Sequence, residues 1–458
     1  MTPAPTSAPY TWSWGWDCRL DSPSPSRYPG TVLAALLACA PQESKELPPF
    51  VDQDIRTTDL ALDLESLTGV ATIDVVPATD SPVRLEVGGL TVGRVTVDGA
   101  EVEPTLFEGV MSVPVEGDGA VTVEVAYDFP ERSESTFDGW MPDLGVTFVW
   151  PDYCDNLFPC HASPKDGVTF TMSVTGYEGD AVYPETTVGD GPAYMPAVAV
   201  HDFDTMDLGT TPSGTHLSAW YWPGREDDAT QGTAHLLDSF AYFEDTYGPY
   251  AFGDDAGTVE VDWGKDSWGG MEHHPYFHVA AYDFRNEEPQ IHEAAHGWFG
   301  DGVRLECWED FVLSEGTTTY ITARASEQVG GEDFWPMYVD DYLVNTCEGR
   351  DVNGIVLPDQ TCNTIDFESS AVWSLATYMK GACFYEDVAD AVGADVVDEA
   401  IADYYQGHVG TAGRMQDMID TLIAHAPDQA DTIETFAEEW LRTEACPADY
   451  ATRCRAHQ

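Results

Sequence analysis

Ile291-His292-Glu293-Ala294-Ala295-His296-Gly297-Trp298-Phe299-Gly300 is the stretch on which the reading of this 458-residue chain turns. Pro289 stands just ahead of it, where a helix can begin, and His292 and His296, four residues apart, then share one helical face. Two imidazoles on one face can offer two nitrogens to a single metal ion, and Glu293, beside the first of them, reaches a water held there. The HExxH pattern by itself also occurs on helices that bind nothing. A catalytic zinc site requires a third protein ligand and an open position. That directs attention to Glu315, nineteen residues after His296 in Trp308-Glu309-Asp310-Phe311-Val312-Leu313-Ser314-Glu315-Gly316. The Asp301-Gly302 pair interrupts the chain between them, so a second helix can fold back and bring its carboxylate to the histidines.

Outward from this segment the texture differs on the two sides. From about residue 50 to 200 the chain alternates apolar and polar residues in short runs, such as Val70 to Val75, Val83 to Val87 and Ala120 to Val125, separated by Gly and Asp turns. That pattern predicts antiparallel strands. After Asp202, helical periodicity takes over, with helices predicted over Gln231 to Tyr247, Ala371 to Tyr405 and Thr432 to Thr443. The expected architecture is therefore α+β and multidomain: a leader over 1–45, an antiparallel β domain over 46–203 and a mainly helical domain over 204–458. No internal repeat is present.

Composition narrows the function classes. The chain carries 81 acidic against 19 basic residues, a net charge of −62, and only four lysines, Lys45, Lys165, Lys265 and Lys380. Such a charge repels phosphate backbones and anionic lipid surfaces, which argues against nucleic acid as a partner. It fits either adaptation to a saline medium or simply a soluble acidic surface. Ten cysteines include no CxxC pair. Cys154 with Cys160, Cys347 with Cys362, and Cys446 with Cys454 suit short disulfide loops, leaving Cys307 and Cys383 as a fourth bridge; buried free thiols are the alternative. Near the start, Val32 to Ala38 runs into Leu36-Leu37-Ala38-Cys39, which resembles a bacterial lipobox and makes Cys39 the candidate lipidated residue. A cleaved signal or a Pro-rich tail are the other readings. The first two predict a cell-envelope or secreted protein, touching a membrane only through a lipid anchor. No other run approaches the ~18 apolar residues that a membrane span needs.

HExxH, eighteen intervening residues and then Glu resembles the signature of the aminopeptidase N family of gluzincin zinc metallopeptidases. Further segments resemble the family in the same order. Gly269-Gly270-Met271-Glu272 is similar to its GxMEN motif, and Tyr378-Met379-Lys380-Gly381-Ala382 to its YxKGA motif. Phe158 to Pro164 and Tyr194 to Val200 are similar to stretches of its N-terminal domain, so the likeness runs from about residue 50 to 430. The resemblance implies an N-terminal β saddle and a thermolysin-like catalytic domain, with no room for the helical C-terminal domain of longer members. It implies one zinc ion per chain held by His292, His296 and Glu315, Glu293 as general base and Tyr378 as donor to the oxyanion. Gly269, Gly270, Met271 and Glu272 would bind substrate, with Glu272 gripping the free α-amino group of a peptide. Asp310 would orient a liganding histidine, or else serve as a plain helix-start aspartate.

One departure from the family pattern stands out: His273 replaces the Asn after the motif glutamate, followed by His274. These histidines are expected to line the cleft, a second metal being the alternative. The departure leaves open an endopeptidase or other zinc hydrolase on the same scaffold, and a non-catalytic envelope scaffold, although a binding module has no need of Glu293. The charge itself is testable. Added salt screens self-repulsion, so the melting temperature should climb steadily from dilute buffer to molar NaCl in a thermal scan; a flat or falling curve would remove the saline-adaptation reading.

Overall fold

The computed structural model describes residues 53–79, 81–117, 119–133, 138–263, 269–358, 362 and 370–454. The predicted leader, with Cys39, lies outside the described residues. No helix among them is long and apolar enough to cross a membrane.

Alternation builds the first layer. In Asp54–Asp63, Leu60 and Leu62 turn inward, as do Ala71, Ile73 and Val75 from the antiparallel neighbour Thr68–Val76. Val121–Asp128, Thr91–Val97 and Ala100–Glu101 extend this sheet on one side, and Thr169–Thr175 adds a parallel strand on the other. A three-stranded sheet of Val83–Glu86, Val110–Val113 and Thr105–Phe107 turns Val83, Leu85, Met111 and Val113 into the same core. A four-stranded sheet, in the order Asp180–Val182, Ala199–His201, Val146–Phe148, Gly139–Met141, comes next. Its Met141, Val146, Phe148 and Ala199 share an apolar cluster with Val259, Val261 and Met271 of the following sheet and with Trp263 just beyond its strand.

That following sheet has five strands, ordered Asp204–Thr210, His216–Tyr221, Asp255–Val261, Tyr276–Ala280, Gly270–Met271. The three central strands are parallel, and Gly270–Met271 runs antiparallel at the edge, with Met271 opposite His278. α1 (Leu236–Thr246) and α2 (Glu287–Ala295) pack on the sheet, and beyond them lie α3 (Phe311–Val329), α4 (Leu375–Val392), α5 (Ala394–His408), α6 (Met415–His425) and α7 (Ala430–Trp440). α3 is buried from Phe311 through Ala323 and lies against α4, making this pair the centre of the helical region.

Two predicted helices are divided. The one expected from Gln231 starts only at Leu236, after a separate short helix Glu226–Gly232. The one expected over 371–405 is a 3-10 turn followed by α4 and α5, broken at Gly393, whose φ of 98° is a conformation that glycine adopts without steric penalty. The cysteine pairing also needs correction. Cys154–Cys160 forms, but the remaining bridges are Cys307–Cys362, Cys347–Cys446 and Cys383–Cys454. Tertiary packing decides this: Cys347 and Cys446, 99 residues apart, meet at a Cα separation of 5.6 Å.

Lys380, fully buried on α4, joins the C-terminal segment to this centre. Its Nζ donates to the carbonyls of Gly354, Thr443 and Glu444 at 2.7, 2.9 and 3.1 Å. Burial lowers its pKa to about 8, so the ammonium persists at neutral pH, where three acceptors match its three donors. Lys380→Met should strand those carbonyls and destabilise the chain by about 3 kcal/mol, at ~1 kcal/mol for each unsatisfied group. Denaturant midpoints of parent and variant check this, and an unchanged midpoint would contradict it.

Candidate active site

α2 carries the HExxH segment at its C-terminal end, buried from Pro289 through Ala295, with His296 as the capping residue. α3 starts on the far side of the Asp301 turn and presents Glu315 from its second turn. The two helices bring three donor atoms together. His292 Nε2 and His296 Nε2 are 3.2 Å apart, and Glu315 Oε2 stands 3.3 Å from each. Ligand atoms bound to zinc at ~2.0–2.1 Å in a tetrahedron are separated by about 3.3 Å. The donor set and its spacing therefore fit one zinc ion.

The surroundings fix these groups. His296 Nδ1 donates to the Phe299 carbonyl at 2.8 Å, which leaves Nε2 free to face inward. The turn that returns this carbonyl needs Gly300, with φ of 111°; a Cβ there would lie 2.8 Å from His296 Nδ1. His274 Nε2 donates to the Glu293 carbonyl at 2.9 Å, and its Nδ1 accepts from the Tyr250 hydroxyl at 2.7 Å. Burial depresses its pKa to about 3, so it is the neutral imidazole that this bonding requires. His273 Nδ1 meets His278 Nδ1 at 3.1 Å, also in the interior. The expectation that His273 and His274 line the cleft is thus corrected: they are core groups, and His274 braces the zinc-site helix.

Asp310 takes neither liganding histidine as partner. Its Oδ1 accepts from the Met415 backbone N–H at 2.9 Å, tying the start of α3 to the start of α6, while burial lifts its pKa to about 7. The acceptor for His296 is the Phe299 carbonyl, and His292 Nδ1 makes no hydrogen bond among the described residues. The expected histidine-orienting role is therefore corrected to a helix-start contact between elements.

The other candidates converge on the donor set. Glu272, just beyond the edge strand Gly270–Met271, is buried, and its donor atom lies within 4.8 Å of those of Glu293 and His296. Gly270 lies so close that a Cβ on it would fall 2.2 Å from Glu293 Oε1. Gly269 and Met271 flank it at the end of the sheet. Tyr378, from α4, stacks on His292 with ring centroids 5.9 Å apart, and its hydroxyl feels the nearby Glu315 carboxylate.

Charge in this dry pocket is finely opposed. Burial opposes ionisation of Glu315, but the His296 charge and hydrogen bonds from both imidazoles outweigh it and bring the carboxyl down to about 2. Burial likewise opposes a charge on His296, yet Glu315 and Glu272 hold its pKa well above the usual value. Burial lifts Glu272 to about 7, with His296 pulling down and Glu315 pushing up, and lifts Glu293 well above the usual carboxylate range. Tyr378 is held protonated by burial and the nearby carboxylates. Sequence reasoning missed Asp301, which is fully buried, has no hydrogen bond to either carboxylate oxygen among the described residues and is pushed well up by burial and Glu272.

The chain is similar to known peptidases. Residues 280–440 match the peptidase family M1 domain. Human endoplasmic reticulum aminopeptidase 2 is 25% identical over 328 residues, covering 61% of this chain and 33% of that protein. Human aminopeptidase B is 25% identical over 332 residues, covering 64% and 48%. The chain thus spans from a third to a half of the length of these relatives. Among solved structures, an M1 zinc metallopeptidase variant from Deinococcus radiodurans bound to a Tyr-Ser-Ala substrate superposes with a TM-score of 0.74 at 19% identity, over 88% of this chain and 98% of that one. Leukotriene A4 hydrolase from Saccharomyces cerevisiae gives 0.71 at 18%, over 88% and 70%. These two share the fold.

Zinc must displace the proton that His296 holds at neutral pH and favours ionised Glu272 and Glu293. Calorimetric titration of chelator-stripped protein with zinc in buffers of different ionisation enthalpy should therefore show net proton release near pH 7. Affinity should strengthen as pH rises through that range. Buffer-independent heat would contradict the charge state assigned to His296.

Proposed function

We propose that this chain, whose residues 280–440 match the peptidase family M1 domain, is a zinc-dependent aminopeptidase removing residues from the N-terminus of peptides. The observation that carries this reading is Glu272: a buried carboxylate beside Glu293 and His296, with Oε1 lacking a hydrogen bond among the described residues. Such a group calls for a cation, and the free α-ammonium is the cation that every unblocked peptide brings. An enzyme anchored to that charge measures its cut from the chain end.

The residues then divide the work. Glu272 accepts from the α-ammonium, and Gly269, Gly270 and Met271 provide the edge-strand backbone along which the first residues lie. His292, His296 and Glu315 would hold the zinc, which when bound would supply Lewis acidity toward the scissile carbonyl and a water of lowered pKa. Glu293, its proton affinity raised by burial, takes the proton of the attacking water and passes it to the departing amine. The protonated Tyr378 phenol donates to the oxygen on which negative charge develops. The four disulfides support an oxidising compartment as the protein's location.

Free and N-acetylated peptides of the same sequence test the proposal. Only the free forms should be cleaved, one residue at a time. Glu293→Gln should lower kcat by about 10²–10⁴-fold, and Glu272→Gln should chiefly raise KM for free-amine substrates. Equal cleavage of acetylated peptides would make the enzyme an endopeptidase and Glu272 a structural group. A zinc-loaded parent that cleaves nothing would favour a scaffold role.

A further inference from the structure

α3 and α4 cross where neither has a side chain. A Cβ built on Gly316 would lie 2.8 Å from the Gly381 Cα, and one built on Gly381 would lie 2.5 Å from the Gly316 Cα. Both would also press on Val312 Cγ2, at 2.9 and 2.8 Å. The principal obstacle is backbone, which cannot swing aside as the end of a long side chain can. Helix pairs ordinarily stand ~8–10 Å apart because side chains fill the space between them; here that filling is absent on both partners.

The crossing sits beside two functional groups. Gly316 directly follows Glu315, and Gly381 lies three residues after Tyr378, less than one helical turn. Contacts on either side of the crossing keep the pair in register. Phe311 meets Tyr378 edge-on at 6.4 Å before it, while the Thr317 and Tyr385 hydroxyls bond at 2.8 Å and Tyr320 stacks on Tyr385 at 5.2 Å beyond it. Lys380, between Tyr378 and Gly381, anchors α4 through three backbone carbonyls. Any added atom at the crossing must therefore move the helices apart, and it does so where Glu315 and Tyr378 project.

We propose that the side-chain-free crossing of Gly316 and Gly381 sets the separation between the zinc-binding carboxylate of Glu315 and the phenol of Tyr378. Both glycines are then positioning residues for oxyanion stabilisation. The inference rests on the peptidase reading above. It accounts for a pair of glycines inside buried helices, where glycine is otherwise an unfavourable choice.

The test compares Gly381→Ala, Gly316→Ala and Tyr378→Phe in the zinc-loaded full chain, with Gly407→Ala as control. Gly407 is an exposed glycine in α5 with nothing within 4 Å of its Cβ position, so that variant should behave as the parent. Gly381→Ala should still bind one zinc and keep KM for a free-amine peptide within about threefold. Its kcat should fall about 10²-fold, as expected for a displacement of about 1 Å in a catalytic group. Affinity for a phosphinic peptide, a tetrahedral mimic, should fall by a similar factor in calorimetry. The double variant Gly381→Ala/Tyr378→Phe should lose no more than Tyr378→Phe alone, because both changes remove the same interaction.

If Gly381→Ala does not fold, Thr317→Val removes the hydroxyl contact to Tyr385 beside the crossing without a clash and should lower kcat several-fold at unchanged KM. Parent-like kcat in Gly381→Ala or, failing its folding, in Thr317→Val would overturn the inference, as would multiplicative losses in the double variant or loss of zinc along with activity. A parent chain without peptidase activity would instead overturn the function on which it rests.

Discussion

Four carboxyl groups, Glu272, Glu293, Asp301 and Glu315, are buried around one pair of imidazoles, and the rest of the structure has to make that crowding tolerable. Removing an ionised carboxylate from water carries an effective penalty of several kcal/mol. Repulsion among neighbours adds to it. The protein answers in two ways: burial keeps protons on Glu293 and Asp301, while Glu315 is ionised against His296. A divalent cation among the donors would relieve the strain further and would thereby couple metal binding to proton release. The same arrangement explains how one pocket holds carboxyls with opposite tasks. Glu315 is held ionised, as a metal ligand would have to be, whereas the proton affinities of Glu293 and Glu272 have been raised.

Position is enforced by separate elements. The edge strand approaches so closely at Gly270 that the Glu293 carboxylate lies against its backbone. His274, on the following turn, grips the Glu293 carbonyl and so holds α2 to the sheet. α3 is held at its start by Asp310 and Met415, and α4 by Lys380. The site is thus assembled from one sheet edge and three helices, each with its own fastening.

What the sequence revealed was what local periodicity encodes. His292 and His296 fall on one face because any helix puts residues four apart there, and the alternation around Ile73 or Val125 declares a half-buried strand. Glu315 was legible through its distance along the chain. The remainder depends on which elements meet. Cys347 finds Cys446 only because the C-terminal segment packs back on the helical core, and nothing near Cys347 signals it. His273 and His274 look like cleft residues until the sheet turns them inward. Asp310 is set opposite the start of α6, and the Phe299 carbonyl, which has no side-chain signature at all, takes the histidine contact instead. The break at Gly393 was visible as a glycine, but only its backbone angle shows it dividing two helices.

The central claim is that α2 and α3 together hold one zinc through two imidazoles and one carboxylate. Zinc X-ray absorption on the metal-loaded protein tests it most directly. The account predicts one tightly bound zinc per chain, coordinated only by nitrogen and oxygen at ~2.0–2.1 Å, with two imidazole scattering patterns that drop to one in His292→Ala. Sulfur in the shell, or a spectrum that His292→Ala leaves unchanged, would contradict it.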